Sequence, residues 1–220
     1  MADIINFLPY ILKGCVWTFG LVFGGLSLGF IIGLPMTLNQ VYGNKEISRL
    51  LNVYIWFFRG TPLLVLLLLF YYGVFPSMGL HLEAFACSAI VLGLRSGAYQ
   101  CETFRGAIKS IGEEQMLAGY SLGMNKFKVL YHIIIPQVLR VSLPGWSNEY
   151  SILLKDSALA FVLGTMEILT RTRYAAMALF EPLMPYLVAG VIYLLLTHGG
   201  VKIINTLYER TRIPGLVVGG

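Results

Sequence analysis

An uninterrupted apolar run near the start of the chain constrains the fold more than any other feature of the sequence. No charged residue occurs between Lys13 and Lys45, and the segment 14–38 is long enough to cross a hydrocarbon core of about 30 Å. Small residues recur along this run: Gly20, Gly24, Gly25, Gly29 and Gly33. Because small side chains let a neighbouring helix approach closely, the run predicts a membrane-spanning helix with a tightly packed partner.

The overall composition excludes an ordinary soluble domain. Of the 220 residues, 57% are hydrophobic and only 12% are charged, whereas a soluble domain has roughly 25% charged residues. The net charge of +5 comes from basic residues that flank apolar runs, which is typical of membrane topology rather than of nucleic-acid binding. The three cysteines lie in or beside apolar runs and are expected to pack in the interior, without a disulfide or metal role.

Four further apolar segments follow, at 51–74, 83–108, 133–163 and 183–204. Together with 14–38 they predict an all-α membrane protein with five transmembrane helices in a single domain, residues 1–220. Pro136 and Pro144 interrupt the fourth segment, so a broken helix is predicted there. The segments 109–132 and 167–181 are the two polar connections.

The distribution of basic residues predicts the orientation of the chain in the membrane. Ten basic residues fall on one side of the five predicted spans: Lys45, Arg49, Arg105, Lys109, Lys126, Lys128, Arg140, Lys202, Arg210 and Arg212. Three fall on the other side, namely Lys13, Arg171 and Arg173, and Arg59, Arg95 and Lys155 are assigned to the spans. By the positive-inside rule the N-terminus is outside, and the C-terminus and the loop 109–132 are cytoplasmic.

Ionisable residues inside the predicted spans are the candidate functional groups. Each costs at least about 2.5 kcal/mol to insert, so each needs a structural or functional reason. In the third span Arg95 and Glu102 share a helix face, and Arg105 is one turn beyond Glu102. In the fourth, Glu149 and Asp156 share a face. Two interpretations stay open: these charges bind a charged or zwitterionic solute, or they pair with one another and hold the helices in register.

The sequence carries no motif for soluble catalysis. It lacks a glycine-rich phosphate loop with its lysine, so the chain itself is not expected to bind ATP. No cysteine and histidine cluster has metal-site spacing, and no serine lies in a nucleophile elbow. We therefore expect neither an enzyme nor a metal site nor any cofactor in this chain.

Four segments carry a resemblance to a known family. They are FFRGTPLLV at 57–65, RSGAYQCETFRGAIKSIGEEQ at 95–115, SLGMNKFKVLYHIIIPQVLR at 121–140 and NEYSILLKDSAL at 148–159. In this order and at these separations the chain resembles, over nearly its whole length, the membrane permease subunits of ABC importers for polar amino acids. The resemblance implies the transmembrane fold of type I ABC importers.

That family carries a cytoplasmic signature of Glu-Ala-Ala, three residues, Gly, nine residues and Ile-x-Leu-Pro. The matching residues here are Leu117, Ala118, Gly119, Gly123, Ile133, Ile135 and Pro136. Leu117 stands where the family has the glutamate, and Gly119 where it has the second alanine. The resemblance implies a coupling helix between the third and fourth spans. That helix would end at Gly123, the next would begin at Pro136, and the apolar contact area would come from Met116, Leu117, Phe127 and Leu130.

The resemblance also implies the function and the partners. The expected activity is import of a polar or basic amino acid (arginine, lysine, histidine or glutamine) across a bacterial cytoplasmic membrane. The substrate would be bound by Arg95, Glu102, Asp156 and Ser157. Two separate ATPase subunits would bind Mg-ATP, and the other partners would be a second permease chain, identical or related, and an extracytoplasmic solute-binding protein.

Three other interpretations remain open at this stage. A secondary transporter or channel would be active without an ATPase, an intramembrane enzyme would need a catalytic pair at one depth, and a structural assembly subunit would use its buried charges only for packing.

Overall fold

In the computed structural model the chain is a bundle of α-helices, described here over residues 2–211 with side chains from residue 6 onward. The helices are α1 (Ala2–Leu12), α2 (Gly14–Tyr42), α3 (Lys45–Gly60), α4 (Leu63–Leu69), α5 (Phe75–Ser77), α6 (Ala84–Ile111), α7 (Glu114–Ser121), α8 (Lys126–Val129), α9 (Ile135–Val141), α10 (Leu143–Asp156), α11 (Ile168–Leu179) and α12 (Leu183–Thr211). Arg212, which entered the charge distribution above, lies outside the described residues.

The centre of the bundle is the packing of α2 against α6. A Cβ atom added at Gly29 would lie 2.5 Å from Gln100 Nε2, and one added at Gly33 would lie 2.9 Å from the carbonyl oxygen of Gly97. Both distances are too short for a side chain, so these glycines allow the two helices to touch. Gly24, in contrast, would bring its Cβ only to 3.8 Å from the Cβ of Ala89.

The segment 51–74, predicted as one span, is not a continuous helix. Lys45–Gly60 and Leu63–Ser77 are bent by 109° relative to each other at the break between them. Thr61 adopts an extended conformation (φ −92°, ψ 133°), the conformation favoured for a residue that precedes a proline. Pro62 therefore breaks the segment 51–74. The apolar character of this segment did not predict the break.

Two helical segments of the described part of the chain, Asn6–Tyr42 and Leu183–Thr211, are long and apolar enough to cross a membrane on their own. The bent pair Lys45–Gly60 and Leu63–Ser77 would supply a third if it forms one span. The predicted total of five spans stays a prediction.

The fourth predicted segment is broken, as expected, but its helix begins earlier than predicted. Asn125 caps α8, because its side-chain oxygen accepts a hydrogen bond from the N–H of Lys128 at 2.9 Å. A π-helical turn, Leu130–Ile134, then leads into α9, where Pro136 lies in the first turn. Pro136 thus lies in the first turn of a helix, as predicted, but helical structure already begins at Lys126, because a π turn connects α8 to α9.

The second polar connection, 167–181, contains the helix α11, which its polar composition did not indicate. Glu167 precedes α11 and accepts hydrogen bonds from the N–H groups of Leu169 and Thr170, at 2.7 and 2.6 Å. Its carboxylate also accepts the hydroxyl of Tyr193 of α12 at 2.8 Å. Glu167 is thus a buried cap that joins α11 to α12.

We expect Gly29→Ala to lower the thermal unfolding temperature of the detergent-solubilised chain, while Gly24→Ala leaves it nearly unchanged. The added methyl group at position 29 meets the buried side chains of Gln100 and Ser96, and overpacking of this kind costs about 1–3 kcal/mol. Equal unfolding temperatures for the two variants would contradict the tight α2–α6 contact.

Candidate functional site

One face of α6 carries the charged groups predicted from the sequence. Arg95, Tyr99 and Glu102 follow each other at intervals of four and three residues, so they line the same side of the helix. Arg59, at the end of α3, approaches the same face. The guanidinium carbons of Arg95 and Arg59 lie 4.8 and 5.2 Å from the centroid of the Tyr99 ring, at cation–π distance.

Ion pairs connect these groups to each other and to α10. Arg95 donates to Asp156, Arg105 donates to Glu102, and Arg59 Nη1 lies 3.7 Å from Glu102 Oε2. The Arg95–Asp156 pair is the more enclosed, with side chains 15% and 23% exposed. We call the following residues the polar cluster: Arg59, Arg95, Tyr99, Glu102, Arg105 and Asp156.

The polar cluster has three guanidinium groups and two carboxylates, which leaves an excess of one positive charge. The predicted Glu102–Arg105 contact is present, and the structure adds the Arg95–Asp156 contact between two predicted site residues. A cluster with one more guanidinium group than carboxylates can exchange its internal partners for the ammonium and carboxylate groups of a zwitterion.

Ser157 is separate from this arrangement. It is fully buried at the start of a 3₁₀ turn, Ser157–Leu163, and its hydroxyl donates to the carbonyl of Leu154 at 2.7 Å. Its hydroxyl thus bonds to the main chain of α10 rather than to the polar cluster.

Sequence reasoning did not assign Arg59 and Tyr99 to this site. The position of Tyr99 between Arg95 and Glu102 on one helix face could have identified it as a member of the site. No comparable signal existed for Arg59, because its approach depends on how α3 packs against α6.

A second polar network lies behind the cluster and joins three helices. Glu149 of α10 is 4% exposed and accepts the hydroxyl of Ser96 at 2.7 Å. Gln100 Nε2 donates to the Ser96 hydroxyl and to the carbonyl of Leu26 in α2, both at 3.0 Å. Ser96 and Gln100 lie directly against Gly29 of α2, which has no side chain to keep them away from that helix.

The predicted coupling signature forms a helix, a turn and a second helix. Leu117, Ala118 and Gly119 lie in α7, and the turn that follows is closed by the Gly123 N–H, which donates to the Tyr120 carbonyl at 2.9 Å. Gly123 has φ +73°, a conformation that favours glycine. The rest of the signature, Ile133, Ile135 and Pro136, is partly buried in the helix that follows.

The exposed surface of this region is strongly apolar. Leu117, Leu122 and Phe127 are 63%, 80% and 82% exposed. Met116, predicted as a contact residue, is instead buried in the core, and Leu130 is partly buried. Gly119 stands where the family signature has an alanine. Packing favours the glycine here, because a Cβ at this position would lie 2.6 Å from a methyl carbon of Val129.

The segment that carries the predicted coupling signature is attached to α2. The Lys126 ammonium donates to the carbonyl of Tyr42, in the last turn of α2. A groove of about 620 Å³ lies between the ends of α2 and α6 and the helix α7, and Lys109, Glu113 and Tyr120 contribute to its lining.

Residues 25–212 match the sequence profile of the family described as binding-protein-dependent transport system inner membrane component. The chain belongs to this family. The membership confirms the resemblance seen in the four sequence segments, and it confirms the prediction of an inner membrane protein.

Known relatives cover most of the chain. It is 35% identical over 192 residues to the probable amino-acid ABC transporter permease protein PatM of Vibrio harveyi, covering 86% of each chain. It is 32% identical over 206 residues to the histidine/lysine/arginine/ornithine transport system permease protein HisM of Escherichia coli, covering 84% of this chain and 87% of the relative.

A solved structure shares the fold. The crystal structure of an amino acid ABC transporter with histidines contains a chain that is 29% identical, with a TM-score of 0.85 and coverage of 95% and 97% of the two chains. The all-helical architecture predicted from the sequence is thus confirmed for the described residues.

We expect Asp156→Asn to lower the unfolding temperature more than Glu102→Gln does. Loss of Asp156 leaves Arg95 without its charged partner in the more enclosed pair and costs about 1–3 kcal/mol. Glu102 pairs with more exposed arginines, so its loss costs below about 1 kcal/mol. Scanning fluorimetry of the solubilised variants measures both, and the reverse order would argue against this ranking.

Proposed function

We propose that the chain is the permease subunit of an ATP-driven importer for a polar or basic amino acid. The observation that carries this proposal is the polar cluster, in a chain that belongs to the family of binding-protein-dependent transport components. The cluster combines positive and negative side chains on one face of α6 and on the adjacent helices α3 and α10. A free amino acid also carries both signs, so it can replace internal ion pairs one for one.

Four charged groups of the cluster have a chemical role in this proposal. Asp156 accepts the ammonium or the cationic side chain of the substrate, and Glu102 contributes negative charge nearby. Arg95 and Arg59 attract the substrate carboxylate, for which a guanidinium is suited because it can donate two parallel hydrogen bonds. Ser157 positions the end of α10 through its bond to Leu154.

The acidic members favour a cationic substrate. We place arginine, lysine and histidine first and glutamine next, because glutamine has a polar side chain without the charge. The relative HisM, whose name specifies histidine, lysine, arginine and ornithine, is consistent with this order.

The proposed topology has five spans, at 14–38, 51–74, 83–108, 133–163 and 183–204, with the N-terminus outside and the C-terminus in the cytoplasm. The region 109–132 then faces the cytoplasm, and α7 acts as the coupling helix. Support comes from the exposed apolar side chains of Leu117, Leu122 and Phe127, which offer contact area to another protein.

The proposed partners are two ATPase subunits, which bind Mg-ATP, a second permease chain and an extracytoplasmic solute-binding protein. A helical path connects the ATPase side to the substrate side: α8, the π turn, α9 and α10 follow each other from Lys126 to Asp156. Movement of α7 by a closing ATPase pair would be carried along this path to the polar cluster, as alternating access requires.

Reconstitution of the permease with its ATPase and binding protein in proteoliposomes tests this function. We expect ATP-dependent uptake of radiolabelled arginine, lysine or histidine, and loss of at least about 90% of it in Asp156→Ala, since one lost charge contact is worth more than tenfold. Glu83→Gln is the control, because Glu83 is exposed and its side chain does not cap α6. Uptake without ATP would favour a secondary transporter or channel, and full activity of Asp156→Ala would remove this residue from the site.

Gly123→Ala should reduce the number of substrate molecules transported per ATP hydrolysed. A side chain in the left-handed conformation costs about 1–2 kcal/mol, so the turn between α7 and α8 would shift. The matched control is Gly106→Ala, because a Cβ also enters open space there but φ is not in the left-handed range. Equal coupling ratios in the two variants would argue against the role of this turn.

A further inference from the structure

An apolar groove lies between the two helical segments of the described chain that are long enough to cross a membrane on their own. Its volume is about 700 Å³, which lies in the range of sites that hold small organic ligands. Helix α2, from the segment Asn6–Tyr42, forms one wall, and α12, Leu183–Thr211, forms the other. The groove therefore lies at the depth of the bilayer, and it shares no residue with the polar cluster.

Helix α10 closes the bottom of the groove. Trp146 of α10 packs edge to face against Phe30 of α2, with ring centroids 5.6 Å apart. Tyr150, one turn further along α10, donates its hydroxyl to the carbonyl oxygen of Leu196 in α12 at 3.0 Å. Because α10 holds both walls through these contacts, the space between α2 and α12 is a defined part of the fold.

The length and chemistry of the groove suit a lipid acyl chain. The lining residues extend from Phe19 to Ile31 on α2 and from Leu195 to Leu207 on α12. At about 1.5 Å per residue, each wall is roughly 18 Å long. One leaflet of a hydrocarbon core is about 15 Å thick, so the groove covers the depth of a single leaflet. Its lining is almost entirely apolar.

Two arginines occur at the end of the groove that the proposed topology places on the cytoplasmic side. Arg210 follows the lining residue Leu207 by three positions, which is about 4.5 Å further along α12 on the same face. Arg140 precedes the lining residue Leu143 by three positions, and it belongs to α9, which packs against α12. Both arginines are exposed, and neither forms an ion pair with another residue of the described part of the chain.

These charges favour an anionic phospholipid over the other possible occupants. Arginines at the cytoplasmic surface of a membrane attract anionic head groups, whereas a zwitterionic head group brings a cation of its own. A second copy of the chain is disfavoured as well. A two-fold interface at this groove would bring the arginine ends of both copies to the same side of the membrane, where they repel each other.

We propose that the groove binds an acyl chain of an anionic phospholipid from the cytoplasmic leaflet, and that Arg140 and Arg210 hold its phosphate. The lipid fills the space between α2 and α12 and stabilises their packing on α10. This site depends on the location of the chain in the membrane and not on the identity of the transported substrate.

Gly199→Leu and Gly190→Leu, compared in the full-length solubilised chain, test the groove. Both glycines belong to α12, and a Cβ at either position meets nothing within 4 Å, but only Gly199 lines the groove. Leucine is a good helix former, so neither variant should unfold at a lower temperature in the absence of lipid. The Kd of dioleoyl phosphatidylglycerol, measured by native mass spectrometry, should rise about tenfold or more in G199L, because the leucine excludes part of the acyl chain. It should be unchanged in G190L.

Arg140→Gln and Arg210→Gln test the recognition of the head group. Each should raise the Kd of dioleoyl phosphatidylglycerol about fivefold and leave that of dioleoyl phosphatidylcholine nearly unchanged. In the unmodified chain, phosphatidylglycerol should bind at least about tenfold more tightly than phosphatidylcholine. Lys45→Gln is the matched control, because Lys45 is an exposed cation at the start of α3 on the same predicted side and lies outside the groove.

Three results would overturn the proposal. The first is an equal Kd for the two lipids in the unmodified chain, and the second is an equal loss of binding in G199L and G190L. The third is a dimer of the chain that G199L dissociates and phosphatidylglycerol does not affect, since the groove would then be an interface between copies. Glycerol 3-phosphate, which has no acyl chain, should not displace the lipid; displacement would assign the arginines to a soluble phosphate and remove the role of the groove.

Discussion

A charge in apolar surroundings needs a partner, and this requirement organises the structure around α6. Arg95 bonds to Asp156 of α10, Glu102 contacts Arg105 and Arg59, and Ser96 bonds to Glu149. These contacts tie α3 and α10 to the charged faces of α6. Because unpaired charges would be expelled from such a bundle, the positions of the neighbouring helices follow from where α6 carries its ionisable residues.

The apolar contacts make this arrangement possible by bringing α2 close to α6. Gly29 and Gly33 remove the side chains that would separate the two helices, and Gln100 uses the space to reach the Leu26 carbonyl. With α2 covering one side of α6, the polar cluster occupies another. The same helix thus serves as the centre of the fold and as the carrier of the candidate substrate site, which links stability to transport through the same ion pairs.

The sequence predicted the charged residues better than it predicted the breaks in the helices. Arg95, Glu102 and Asp156 stood out because charges are rare in apolar runs, and two of them form a pair across helices. The bend at Pro62 and the early start of α8 escaped prediction, because local turn geometry and capping compete with hydropathy there. The coupling signature predicted a helix and a turn, but whether each side chain is exposed depends on what packs behind α7.

The sequence by itself determined that this chain is an apolar helical protein with charged groups on defined helix faces, and its motifs identified the family. These properties depend on residue type and on spacing along one helix, which are local. Only the tertiary structure decided that Arg59 and Tyr99 join the cluster, that the Ser157 hydroxyl bonds to its own helix instead, and that Glu149 of α10 bonds to Ser96 of α6. Contacts between residues on different helices depend on how those helices cross, and no local spacing specifies that.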